Sequence, residues 1–199
     1  MARVLSPVRA AGRASYVADV QLVARAVIAS SLTGSAIIHG TVAGEHFGEW
    51  VPAGVFFLGI QLVELVLALL AVYAWSSRAA ALVVATGLLT VAVWLLSRTL
   101  GTPIGPDDFR VPEPVGVPDT ACGLLELMSV AAAAAALRLT GHGRVRPRRR
   151  SEAGPSRRGL AVATTAVWAA VVLTAWGAAP AVLGAEGHAH GGSTAGSGP

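Results

Sequence analysis

Lysine and asparagine are missing from this 199-residue chain, cysteine occurs once, and charge of either sign is scarce. Without lysine there is no P-loop for phosphate, and without asparagine there is no N-glycosylation acceptor. A single cysteine excludes a disulfide framework and a cysteine-rich metal knuckle. The H-E-x-x-H spacing of zinc metalloproteases is absent as well. Charged residues make up 13% of the chain, roughly half of what a soluble domain carries. That excludes a disordered protein and argues against a water-soluble globule.

What is present is apolar: 54% of residues are hydrophobic and the mean hydropathy is +0.63. All fifteen basic residues are arginine, and alanine, glycine, valine and leucine dominate. Lysine and asparagine have AT-rich codons, so this usage points to a GC-rich bacterial genome. A membrane-spanning helix needs about 20 mostly apolar residues. Five segments qualify: Val20 to Ala43, Ala53 to Trp75, Ala79 to Leu100, Asp119 to Leu137 and Leu160 to Leu183. The expected fold is therefore an all-α, polytopic membrane bundle of five transmembrane helices. Only Ser76, Ser77 and Arg78 join the second and third segments, which predicts a tight antiparallel pair.

The connections alternate in charge. Residues 1–18 carry Arg3, Arg9 and Arg13 and no acid. The short turn at Arg78 is basic, and the segment from Arg138 to Arg158 holds eight arginines against Glu152 alone. The other connections are acidic: Glu45 and Glu49, then Asp107, Asp108 and Glu113, then Glu186. By the positive-inside rule the chain is N-in and C-out. The domain reading follows: a cytoplasmic basic tail (1–18), a four-helix membrane core (19–137) with an external Pro-rich loop (101–118), a cytoplasmic Arg-rich loop (138–159), the fifth transmembrane helix (160–184) and an external His/Gly/Ser tail (185–199). The first and fifth segments read as uncleaved anchors rather than signal peptides. The expected location is the bacterial plasma membrane. The arginine run is a topology signal facing anionic lipid, so nucleic acid is not an expected partner.

This topology places several polar residues in the outer half of the bundle: His39, Gln61, Glu64, Arg98, Asp119 and Glu126. An ionisable group inside a membrane costs at least ~2.5–3.5 kcal/mol on insertion scales, so such groups face one another, a cavity or a ligand. His39 and His46 are two helical turns apart, and Glu49 lies three residues beyond. Asp119 and Glu126 have the same seven-residue spacing, with Cys122 between them. A mixed set of imidazole and carboxylate suits a transition metal such as iron, copper, zinc or manganese. The expected ligands are His39, His46, Glu49, Asp119 and Glu126, with Gln61, Glu64 and Arg98 behind them as a second shell or as ion pairs. His188 and His190 on the tail form a separate candidate for metal capture. Each residue also has a plainer role: Asp119 as a helix N-cap, Cys122 as a small filler, Glu64 or Glu126 as a tie for Arg98. Gly40, Gly44 and Gly48 form a small-residue stripe that suits close helix packing. Five of the eleven prolines fall in residues 101–118, which predicts an ordered loop that acts as a lid or a stiff connector.

The pattern Ser97-Arg98-Thr99-x-Gly101-x-Pro103-x-Gly105-Pro106, followed by Pro112-Glu113-Pro114-Val115-Gly116 and Asp119, resembles one in uncharacterised small multi-pass membrane proteins of actinobacteria. The stretch IHGTVAGEHFGEW, ending at Trp50, is similar to the end of their first helix. The resemblance covers roughly residues 36–126 and implies no activity. The function expected from the residues is an extracytoplasmic metal-binding membrane protein. The alternatives are a non-catalytic accessory subunit, and a proton-coupled small-solute transporter using Glu64 and Glu126. With only five helices, a homo-oligomer or a membrane-protein partner is expected beside the lipid bilayer. Reporter fusions after Arg150 should read as cytoplasmic and fusions after Gly187 as external; the same side for both would overturn the five-span topology.

Overall fold

The structure, a computed structural model, describes residues 7–141 and 155–183, so His188 and His190 lie outside the described residues. Most of the Arg-rich loop lies outside them too. The described residues fold into five α-helices: α1 (Pro7–Glu49), α2 (Val51–Tyr73), α3 (Ser77–Thr99), α4 (Val117–Gly141) and α5 (Arg157–Leu183). A turn of 3-10 helix, Asp107–Arg110, sits in the loop between α3 and α4. All five α-helices are long and apolar enough to cross a membrane.

The first helix is much longer than its apolar core suggests. Pro7 suits a helix start, where its missing N–H costs nothing. The following alanines and arginines are good helix formers. Residues 7–18, expected as a tail, therefore extend α1. At the other end nothing stops the helix at Ala43. It runs on to Glu49, because the first strong breaker is Pro52, whose ring would meet the carbonyl one turn back. Trp50 alone, in an extended conformation, separates α1 from α2. Gly54 lets the Phe47 ring lie over the corner. At roughly 1.5 Å per residue, 43 residues reach far beyond the ~30 Å apolar core of a bilayer.

The α1 helix is the hub. It packs against α2, α4 and α5, and α3 packs on α4. One core cluster combines Ile28 and Leu32 with Leu67, Ala71, Val83 and Ala133; a second joins Ile38, Ala121, Leu125 and Ala170. Small residues set the close approaches, as expected where lipid competes equally for apolar surface. Gly34 of α1 faces Thr174 of α5, and Gly177 of α5 sits against Ala121 and Ile38. The expected stripe does not serve this purpose: Gly44 and Gly48 face open space, and only Gly40 is in contact, with Gln61.

The tight α2–α3 pair is also not what forms. The two helices meet weakly, because α2 is drawn onto α1 and α3 onto α4. Gly87 brings α3 within reach of Glu126 and Val130 on α4. A wedge therefore opens between α2 and α3 toward the end that carries the 100–116 loop. The opposite end is tied by polar contacts. Arg25 Nε donates to Ala71 O at 2.7 Å and its terminal nitrogen to Val72 O, closing the C-terminus of α2. Trp75 Nε1 donates to Gln21 Oε1 at 3.0 Å. The Asp19 carboxylate accepts from Ser156 N at 2.8 Å and Ser156 Oγ at 2.6 Å, fastening the start of α5 to α1.

A Cβ on Gly177 would lie 2.6 Å from Ala121 Cβ, which has no rotamer by which to move away, whereas a Cβ on Gly59 meets nothing within 4 Å. Gly177→Val should destabilise the protein by about 1–3 kcal/mol. Thermal unfolding in detergent, with Gly59→Val as control, checks this; equal melting points would contradict the close α1–α4–α5 approach.

Candidate intramembrane site

Two of the expected metal ligands, His39 and Glu126, are brought together, but with different companions from those expected. His39 Nδ1 lies 3.0 Å from Glu64 Oε2, and its Nε2 lies 3.3 Å from Cys122 Sγ. Ser35, one turn below His39 on α1, sits at the centre. Its Oγ is 2.9 Å from Glu64 Oε1, 3.2 Å from Glu126 Oε1 and 3.0 Å from Cys122 Sγ. The two carboxyls thus share one hydroxyl. Ser35 and Glu64 are fully buried, and Glu126 is 1% and His39 5% exposed. Three helices thus converge: α1 with Ser35 and His39, α2 with Glu64, and α4 with Cys122 and Glu126.

Hydrogen counting shows what this cluster can do. The serine hydroxyl has one hydrogen and two carboxyl neighbours. A consistent arrangement has Glu126 protonated and donating to Ser35, Ser35 donating to Glu64, His39 Nδ1–H donating to Glu64, and Cys122 S–H donating to His39 Nε2. Moving the shared proton to Glu64 only reverses the Ser35 hydroxyl. Either carboxyl can therefore carry the shared proton with the same set of hydrogen bonds kept.

The remaining expected ligands are committed elsewhere. His46 and Glu49 pair with each other at 3.0 Å, and the His46 ring stacks on Phe57 at 4.2 Å. Asp119 accepts from Arg98 at 2.7 Å. Among the described residues, no group of three or more His, Cys, Asp or Glu is arranged to hold a metal ion. Glu64, expected behind the ligands, is in direct contact with His39. Gln61 packs against Gly40 instead of entering the cluster. Arg98 pairs with Asp119, as one of its expected partners, and also with Glu113, which the spacing did not single out. Asp119 is not the N-cap: α4 starts at Val117, and Asp119 reaches back from the first turn to accept from Gly116 N at 2.8 Å. Cys122 is no mere filler, given its two polar neighbours. Ser35 was overlooked as a site residue, although Ser31, Ser35 and His39 at four-residue steps mark one polar face of α1.

Above the cluster lies a cavity of about 440 Å³, within the range of small-molecule sites. His39, Cys122 and Glu126 line it, with Phe56 and Phe57 from α2 and Thr90, Val91 and Trp94 from α3. Trp50, Ile104 and Phe109 close the loop end. The loop is shaped for this: Gly105, at φ +109°, lets the backbone pass over Trp50, and Trp50 meets Phe109 edge-on at 5.5 Å. Glu113 N donates to Ser97 O at 3.1 Å, and with the Arg98 pairs this docks the loop on α3. The cavity lies between α2 and α3, where the two helices meet weakly.

Comparison with protein-family models, curated proteins and solved structures finds no match for this chain.

Arg98 is the single cation that holds the loop, α3 and α4 together, and its side chain is only 13% exposed. Arg98→Leu leaves Glu113 and Asp119 without their cation and should cost about 1–3 kcal/mol, between the exposed and the buried case. Arg110→Leu, at an exposed position 3.8 Å from Asp107, should leave the melting temperature in detergent unchanged. Equal effects from the two variants would remove Arg98 from its structural role.

Proposed function

We propose that this chain is a multi-pass protein of a bacterial plasma membrane that takes up a small lipophilic solute and couples its passage to proton exchange. The observation that carries this reading is the meeting of Glu64 and Glu126 at one serine hydroxyl, with His39 on Glu64, at the floor of a cavity between α2 and α3. Two carboxyls so close in an apolar interior are costly to retain unless they exchange a proton or bind something. With the N-terminus inside, the loop and cavity lie on the extracytoplasmic side. The solute enters between α2 and α3, and its arrival at the floor disturbs the Ser35-centred hydrogen bonds and moves the shared proton. The metal centre, which is the first expectation from the sequence, loses support, because His46, Glu49 and Asp119 each have other partners. An accessory subunit would need neither the cavity nor a proton-holding pair.

Two measurements test the proposal. In liposomes, benzophenone should photolabel the wild type at cavity residues such as Phe57 and Trp94. Gly123→Trp should abolish that labelling, because Gly123 lines the cavity with open space at its Cβ. Infrared spectra should show the carbonyl band of a protonated carboxylic acid at neutral pH, absent from Glu126→Gln. Labelling that ignores Gly123→Trp, together with no such band, would refute the coupled-solute function.

A further inference from the structure

The charges around the cavity are unequal. Among the described residues lining it, the one permanent cation is Arg98, and it is held by Glu113 and Asp119 together. Arg98 Nε and Trp94 Nε1 are buried donors without an acceptor, but the Arg98 charge is already paired twice, so an anionic solute meets no unpaired positive charge there. Glu126 lines the floor, almost fully buried, and its Oε2 receives no hydrogen bond from any N–H or hydroxyl. Glu64 stands behind it. The walls add ring faces from Trp50, Phe57, Trp94 and Phe109, and such faces attract cations, most strongly where water is excluded.

Building on the coupled-solute reading, we propose that the solute is a lipophilic organic cation, an amine or quaternary ammonium with an apolar body, which competes with the shared proton for the Glu64–Glu126 pair. The balance is simple exchange. The cation enters as the carboxyl O–H bond breaks, the proton leaves to solvent, and the charge of the site is unchanged. No covalent bond of the solute is made or broken. A neutral solute would leave the shared proton in place and release none.

The pH dependence follows from the groups facing the pair. These are His39 from α1 and Cys122 from α4; Arg98 from α3 with its partners Asp119 and Glu113 lines the same cavity without contacting the pair, and His46 and Glu49 lie farther along α1. The described part of α5 has no ionisable side chain beyond Arg158. One proton leaves per cation bound, so affinity should fall about tenfold for each pH unit below the titration of the pair.

The test uses the full chain in lipid nanodiscs and three probes of similar shape: phenyltrimethylammonium, its neutral isostere tert-butylbenzene, and benzenesulfonate. Calorimetry in two buffers of different ionisation enthalpy counts the protons released. The expected result is saturable binding of phenyltrimethylammonium that releases about one proton, weakens at low pH and is absent from Gly123→Trp. Glu126→Gln should abolish the proton release and weaken binding at least tenfold. Should that variant fail to fold, Trp50→Leu with Phe109→Leu, which leaves the cluster intact, should still weaken the cation selectively. Binding of tert-butylbenzene as tight as that of the cation, without proton release, would overturn the cation assignment while leaving the solute site standing. Preference for benzenesulfonate would overturn it too. No Gly123→Trp-sensitive binding of any probe would overturn both the cation assignment and the solute site.

Discussion

Two carboxyl groups and an imidazole are buried in the interior of a bundle whose outer surface is apolar, and the rest of the architecture is arranged around satisfying them. In an apolar medium each such group costs several kcal/mol if left alone. Here the cost is offset by mutual contact through Ser35 and Cys122. That contact requires α1, α2 and α4 to approach at one depth, and α1 supplies the central face with Ser35 and His39 one turn apart. The same requirement explains why α2 follows α1 so closely through Trp50. A long connector would leave Glu64 free to drift from its partners, whereas a one-residue corner holds the α2 register against α1.

Once α2 is committed to α1 and α3 to α4, a gap between α2 and α3 follows. Aromatic side chains from both helices and the loop line it without closing it. The gap is instead roofed by the loop, which is stiffened by five prolines and locked by Arg98 to Glu113 and Asp119. Arg98 thereby acts apart from the buried acid cluster. Its own charge is satisfied at the rim, which leaves the floor to the acids and His39. This separation of a structural ion pair from a buried acid pair gives the cavity its polarity: acidic and ring-walled, with no unmatched cation.

The α5 helix stands apart from this chemistry. It contributes Gly177 and Ala170 to the packing and is fastened by Asp19 to Ser156. It supports the face of α1 opposite α2 and carries no ionisable side chain to the cluster. Its role is to hold α1 and α4 in place, so that the acids on α2 and α4 meet.

Hydropathy and length by themselves determined the five spans, because an apolar run of about 20 residues has few alternatives to a membrane helix. The same reasoning singled out His39, Glu64, Arg98, Asp119 and Glu126, since ionisable residues in apolar runs are conspicuous. Sequence spacing could not decide which of them meet. A seven-residue interval puts His39 and His46 on one face of α1, but contact depends on depth and on the facing helix, and His46 found Phe57 and Glu49 instead. The extent of α1 was hidden because residues 7–18 and 44–49 mix arginine, acid, histidine, serine and glycine among their apolar residues, which ends the apolar run but does not stop the helix before Pro52. The separation of α2 from α3 was likewise undetermined by a three-residue turn, which constrains the joined ends and not the far ones. Tertiary packing chose Ser35 as the hub, since a serine is unremarkable in a spanning helix until two carboxyls from other helices arrive beside it.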